Sequence, residues 1–159
     1  MSVALYPGSF DPIHNGHLAI IENAVQVFDR LVVAVGYNAA KPSGAFGIDQ
    51  RMEMIRESVQ DLPSVSVVSF TGLVTVAAHE HGATCLVKGI RSATDLDAEM
   101  LQANMNSVTG NGIPTVFLPG IGDSALVSSR YVREISAAGG NVGAVVPQSV
   151  MRRLSERGQ

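Results

Sequence analysis

Tyr6-Pro7-Gly8-Ser9-Phe10-Asp11-Pro12-Ile13-His14-Asn15-Gly16-His17 is the stretch on which the fold turns. It follows a short apolar run at 3–6 and precedes Leu18, Ile21, Val25 and Phe28, which recur at helical spacing. A strand, a glycine-bearing turn and a helix in that order open an α/β unit and present the strand's carboxyl end to a ligand. Gly8 and Gly16 let backbone approach closely, Ser9 and the turn's N–H groups can donate, and a helix beginning near His17 favours an anion. The turn is suited to holding phosphate. It lacks both the G-x-G-x-x-G of a dinucleotide site and the G-K-[ST] ending of a P-loop, so neither of those chemistries is indicated.

Outward from this turn, apolar β-branched runs alternate with segments of helical period. Strands are expected at 3–6, 31–36, 65–70, 84–88 and 114–118, several of them apolar on both faces as buried parallel strands require. The pattern predicts an α/β, Rossmann-like fold: a five-stranded parallel sheet with helices on both faces, in one domain spanning 1–159. A second helix is expected from Asp49 as cap through Met52, Ile55 and Val59, ending before Pro63. Further helices are expected at 73–81, 95–108 and 128–138, the last stopped by Gly139-Gly140, and from Pro147 to near Arg157. The stretch 38–47, with Lys41-Pro42 and two glycines, reads as a mobile loop.

Composition sets bounds on function. Of 159 residues, 46% are hydrophobic and 16% charged, and no apolar run reaches the length of a membrane span. The net charge of -3 argues against broad nucleic-acid binding. No basic, apolar leader opens the sequence, and a soluble, cytoplasmic protein is expected. Cys85, the single cysteine, lies in an apolar run and reads as a small buried hydrophobe, which excludes a disulfide within the chain.

Two further segments sit at expected strand ends or helix starts. Lys88-Gly89-Ile90-Arg91 sets two cations around a glycine after the fourth strand, a second phosphate contact. Ser128-Ser129-Arg130 opens a helix, where serine capping and phosphate binding are compatible. Asp95 and Asp97 read as acidic residues complementing a helix amino terminus. Asp11, His14 and His17 could converge on a metal, but no outlying ligand set accompanies them, and no protein-bound metal is expected.

His14-Asn15-Gly16-His17 resembles the T/HxGH signature of the nucleotidyltransferase superfamily, and the whole stretch 6–17 resembles that of the phosphopantetheine adenylyltransferases. The resemblance extends over almost the entire chain. It implies transfer of AMP from ATP to 4′-phosphopantetheine, giving dephospho-coenzyme A and pyrophosphate, with Mg²⁺ accompanying the ATP. It implies catalytic roles for His17, Lys41 and Arg91. Nucleotide contacts are implied for Ser9, Phe10, His17, Gly89, Ile90, Arg91 and Glu99, and for Ser124, Ala125, Leu126, Val127, Ser128, Ser129 and Arg130. Acceptor contacts are implied for Ser9, Lys41, Val74 and Lys88. A homohexamer and feedback by coenzyme A follow from the same resemblance, with apolar surface at 100–108 as a contact. The sequence departs from the family pattern at Arg130, where a third serine is usual, and at Ser124-Ala125-Leu126 and Leu96-Asp97-Ala98, where aromatic residues are common. Two alternatives stay open: an adenylyltransferase acting on nicotinate or nicotinamide mononucleotide, and a nucleotide-sensing module without catalysis.

Overall fold

A computed structural model describes residues 1–38, 44–120, 122 and 126–157. Five strands, β1 (Val3–Gly8), β2 (Arg30–Gly36), β3 (Val65–Phe70), β4 (Cys85–Ile90) and β5 (Thr115–Pro119), form one sheet in the order β3-β2-β1-β4-β5. All four neighbouring pairs are parallel. Six helices accompany them among the described residues: α1 (Asn15–Ala24), α2 (Ile48–Ser58), α3 (Val74–Glu80), α4 (Ala93–Thr109), α5 (Ser129–Ala137) and α6 (Gln148–Arg157).

The strands are apolar on both faces because both are covered. Ala4, Tyr6, Leu31, Val33, Val35 and Val87 join a core with Ile21, Met54, Ile55, Val132 and Val150, from α1, α2, α5 and α6. Their alternates Val3, Leu5, Val32, Ala34 and Leu86 join a smaller core with Ala77 and Ala78 of α3. This period of two, filled on each side, is what a doubly covered parallel sheet demands. Cys85 is buried as expected.

The chain builds outward from β1 through β2 to β3, then crosses back to add β4 and β5 on β1's other side. The order therefore reverses between β1 and β4, and ligands of open α/β sheets bind in the crevice at such a switch point. The turn at 6–17 and Lys88-Gly89-Ile90-Arg91 flank that crevice.

Several boundaries differ from the sequence expectation. β1 runs on through Gly8, with Pro7 opposite Ala34 and Gly8 opposite Val35. Pro7 is tolerated in a central strand because pairing with β4 has ended at Leu5 opposite Leu86, so its missing N–H interrupts no ladder there. α1 begins at Asn15 with His14 as cap, two residues before His17. Val25 and Phe28 lie beyond its end, yet both pack against the core through continuing turns onto Ile21 and Ala24 carbonyls. α2 is capped at Gly47 rather than Asp49: Gln50 Oε1 accepts the Gly47 N–H at 3.1 Å, and Asp49 falls in the first turn. Pro147 stands just outside α6, accepting from Val150 and Met151. α6 is fastened along α2 by Arg153 on Glu53 at 2.8 Å and on Glu57 at 3.1 Å, with Arg152 also on Glu57.

Candidate active site

The turn after β1 is tightly constrained. A Cβ on Gly8 would stand 2.9 Å from the Phe10 ring, so only glycine lets that ring fold back. Phe10 itself takes a positive φ of 45° and is buried at 2% exposure, its ring edge-on to Tyr6 and to His17 at 5.4 and 4.9 Å between centroids. Phe10 thus supports the histidine from behind, and it lines none of the cavities that meet at Ser9.

His14 and His17 cap α1 reciprocally. The His17 N–H donates to His14 Nδ1 at 3.3 Å, and the His14 N–H donates to His17 Nδ1 at 3.2 Å. Their rings stack, with centroids 3.6 Å apart and planes 19° from parallel. Burial, then the nearby Arg91 charge, pulls the His14 pKa down to about 4. His17 is held well below its ordinary value by burial, then by His14 and Arg91. Both imidazoles are therefore neutral at pH 7. A neutral ring that accepts at Nδ1 carries its proton on Nε2, so each offers one Nε2–H to a ligand. Burial likewise raises the Tyr6 hydroxyl far above its usual value and keeps it neutral.

Three cavities meet at the exposed Ser9. The first, about 400 Å³, is lined by Tyr6, His14, His17, Lys88, Arg91 and Ser129 among others. The second, about 430 Å³, runs past Pro7, Phe70, Val74, Gln102 and Asn106. The third, about 860 Å³, lies against Asp11, Phe46, Arg51 and Arg133. Lys88 borders the first two, so Ser9 and Lys88 mark the junction between them.

Most expected site residues converge here. Gly89, Glu99, Ser128, Ser129 and Arg130 line the first cavity with His17, Lys88 and Arg91, and Val74 lines the second. Lys88 Nζ pairs with Glu99 at 3.0 Å, tying β4 to α4. Ser128 holds the cap position of α5 without a side-chain capping bond, while Ser129 Oγ donates to the Pro12 carbonyl at 2.9 Å and joins α5 to the first turn. Arg130 is exposed and paired with Glu134 at 2.8 Å.

Three expected contacts lie elsewhere. Ile90 borders none of the three cavities; its carbonyl accepts the Gly120 N–H at 2.8 Å in the chain's exit from β5. Leu126 is 80% exposed and also outside them. Val127 is buried in the core and contributes its carbonyl, which accepts from Arg91 Nη1 at 3.0 Å. Lys41, Ser124 and Ala125 lie outside the described residues.

Some functional partners escaped the sequence reading. Asp95 is more than a helix-end charge: its Oδ2 accepts from Arg91 Nε at 3.0 Å and from the Arg91 N–H at 3.3 Å, fixing the guanidinium. The i,i+4 spacing was the available signal. Asp11 accepts from the Ala45 and Phe46 N–H groups at 2.8 and 2.9 Å and lies 3.4 Å from Arg51. Among the described residues no cluster of three or more His, Cys, Asp or Glu could hold a metal.

A cavity at the switch point, lined by neutral imidazole donors and by cations at the end of β4 and in α5, defines a nucleotidyltransferase-type α/β domain. The model of cytidylyltransferase-like proteins matches residues 5–135. A phosphopantetheine adenylyltransferase of Nocardioides sp. is 44% identical over 157 residues, covering 99% of this chain and 98% of its own. One from Rhizobium meliloti is 44% identical over 162 residues, covering 99% of each, and one from Rhizobium etli is 42% identical over 162 residues, covering 99% and 98%. The chain belongs to the phosphopantetheine adenylyltransferase family.

Proposed function

We propose that this chain transfers the adenylyl group of ATP to 4′-phosphopantetheine, releasing dephospho-coenzyme A and pyrophosphate. The observation that carries this reading is the junction at Ser9 and Lys88, where a cation-lined cavity meets a second one bordered by Phe70, Val74, Gln102 and Asn106. ATP occupies the former and the acceptor the latter, so the acceptor's phosphate meets the α-phosphate at the junction.

An oxygen of the acceptor phosphate attacks the α-phosphorus in line; the bond from that phosphorus to the bridging oxygen breaks, and pyrophosphate leaves with its electrons. The nucleophile is already anionic, so no side chain needs to remove a proton. The protein's work is positioning and charge stabilisation. His17 donates its Nε2–H to the α-phosphate, Arg91 holds the β- and γ-phosphates, Ser9 orients the acceptor phosphate, and Lys41 and Lys88 attract it. Neutral histidines suit this role because they donate in one fixed direction without the cost of burying charge.

Mg²⁺ fits this site only as a companion of the triphosphate. Asp11, Asp95 and Glu99 are each engaged by an arginine or lysine, so the ion would rest on phosphate oxygens and water, a usual arrangement for Mg²⁺. It would supply charge neutralisation on the leaving pyrophosphate. We further infer a cytoplasmic homohexamer that coenzyme A inhibits. Among the described residues no helix is long and apolar enough to cross a membrane.

The test is pyrophosphate release from ATP and Mg²⁺ with 4′-phosphopantetheine or nicotinate mononucleotide as acceptor. Release with the pantetheine compound alone supports the reading; release with the mononucleotide alone, or ATP binding without release, overturns it. His17→Ala is expected to fold and to lose roughly 10²-fold or more in kcat, the scale of deleting a preorganised donor. Equal turnover in the two proteins would remove His17 from the mechanism.

A further inference from the structure

Ala45 and Phe46 belong to no helix or strand, yet each of their four backbone polar groups is met by a side chain from elsewhere in the molecule. Asp11 accepts both N–H groups, at 2.8 and 2.9 Å. Arg51 Nε donates to the Phe46 carbonyl at 2.7 Å, and Arg157 Nη1 donates to the Ala45 carbonyl. The Arg157 guanidinium also lies 4.7 Å from the centroid of the buried Phe46 ring, a cation–π distance.

The grip extends to the first motif. Arg51 Nη1 donates to the Ser9 carbonyl at 3.2 Å, so one planar fork spans the Phe46 and Ser9 backbones and fixes their separation. Arg133 Nη1 donates to the Asp11 carbonyl at 2.6 Å from α5. Gly44 completes the fit: at φ +136° it passes so near the pair that a Cβ would stand 2.0 Å from Arg51 Nη2 and 2.7 Å from Asp11 Oδ2. Four parts of the chain, the first turn, α2, α5 and α6, thus converge on one bend and on Ser9.

We propose that Asp11, Arg51 and Arg157 are positioning residues: together they clamp the Ala45–Phe46 backbone and, through the Arg51 fork, hold Ser9 in place for the acceptor phosphate. The role rests on the function proposed above. None of the three need touch the reacting atoms. Their effect falls on the acceptor because Ser9 orients it, whereas the nucleotide's cation, Arg91, is anchored separately through Asp95 and Val127.

Arg157 gives the cleanest test, because it is exposed and its loss leaves no buried charge. Steady-state kinetics of the full chain would compare wild type, Arg157→Gln and Arg157→Lys, alongside hydrogen exchange at the Ala45 and Phe46 amides. Arg157→Gln is expected to melt near wild type and to raise the acceptor KM about tenfold while the ATP KM moves less than about twofold, the range over which small misplacements act. Arg157→Lys keeps a cation over Phe46 and one donor, and is expected to restore most of the acceptor KM. Both amides should exchange slowly in wild type and faster in Arg157→Gln. An active wild type with an unchanged acceptor KM in Arg157→Gln, or with both KM values rising together, overturns the clamp alone. A wild type that releases no pyrophosphate with 4′-phosphopantetheine overturns the functional reading and this role with it.

Discussion

His14 and His17 show how much chemistry two residues three positions apart can hold. Their spacing is that of a capping box, but such boxes are ordinarily built from serine or threonine with glutamate or glutamine. The sequence therefore marked both histidines as a motif without revealing that each fixes the other's tautomer. That needs the backbone geometry of the cap and the 3.6 Å stacking. Burial beside Arg91 then keeps both rings neutral, which has a consequence for stability. The folded His14 titrates near 4 and the unfolded one near 6.5, so between those values the unfolded state binds more protons. Its contribution is complete above about pH 6.5 and is lost as pH falls towards 4, with His17 acting in the same direction. Thermal melts at a series of pH values from 7 to 4.5 should show the Tm falling. His14→Asn retains an acceptor at the cap without the titration, and its Tm should fall less steeply. Parallel curves for the two proteins would contradict the assignment.

At the level of elements, the strands were legible because their β-branched runs are buried on both faces, and α1 and α2 because their apolar residues repeat at helical spacing. Their ends were less legible. β1 carries Pro7 and Gly8, which read as a turn, and continues only because β2 still pairs with them. The join between β4 and α4 matters most for function. Ser92 caps α4 by accepting the Asp95 N–H at 3.2 Å, and Asp95 turns back to hold Arg91. A partly exposed pair of this kind contributes under about 1 kcal/mol to stability, so Asp95→Ala should shift the Tm little. Arg91, released from its carboxylate, should bind the polyphosphate less well, and the ATP KM should rise about three- to tenfold, the effect of a lost orienting contact. Asp97→Ala, on the exposed side of the same helix, should leave both KM values unchanged. Equal kinetics in the two variants would return Asp95 to a helix-end role.

Across the whole molecule, the sheet and its switch point followed from local patterns, whereas the joins that complete the site did not. Arg51 on Ser9, Arg133 on Asp11, Ser129 on Pro12 and Arg157 on Ala45 span 42 to 122 residues, and no periodicity in one sequence encodes them. Assembly belongs to this scale as well. α4 buries only Asn106 among its own residues, while Leu101, Met105 and Val108, spaced to share one face, are 72, 56 and 75% exposed. Met100 adds to that surface at 54%. A run of large apolar side chains on one helix favours a protein partner over water, and in the proposed homohexamer the partner is a second copy of the chain. Sedimentation velocity should find a species six times the 16.7 kDa chain mass. Leu101→Glu combined with Val108→Glu would force charges into a contact that excludes water, and should shift the protein to smaller species while its secondary structure persists. A wild type that sediments as a monomer at every concentration would leave α4 facing solvent and end the hexamer proposal. A hexamer unaffected by both glutamates would move the contact off this helix.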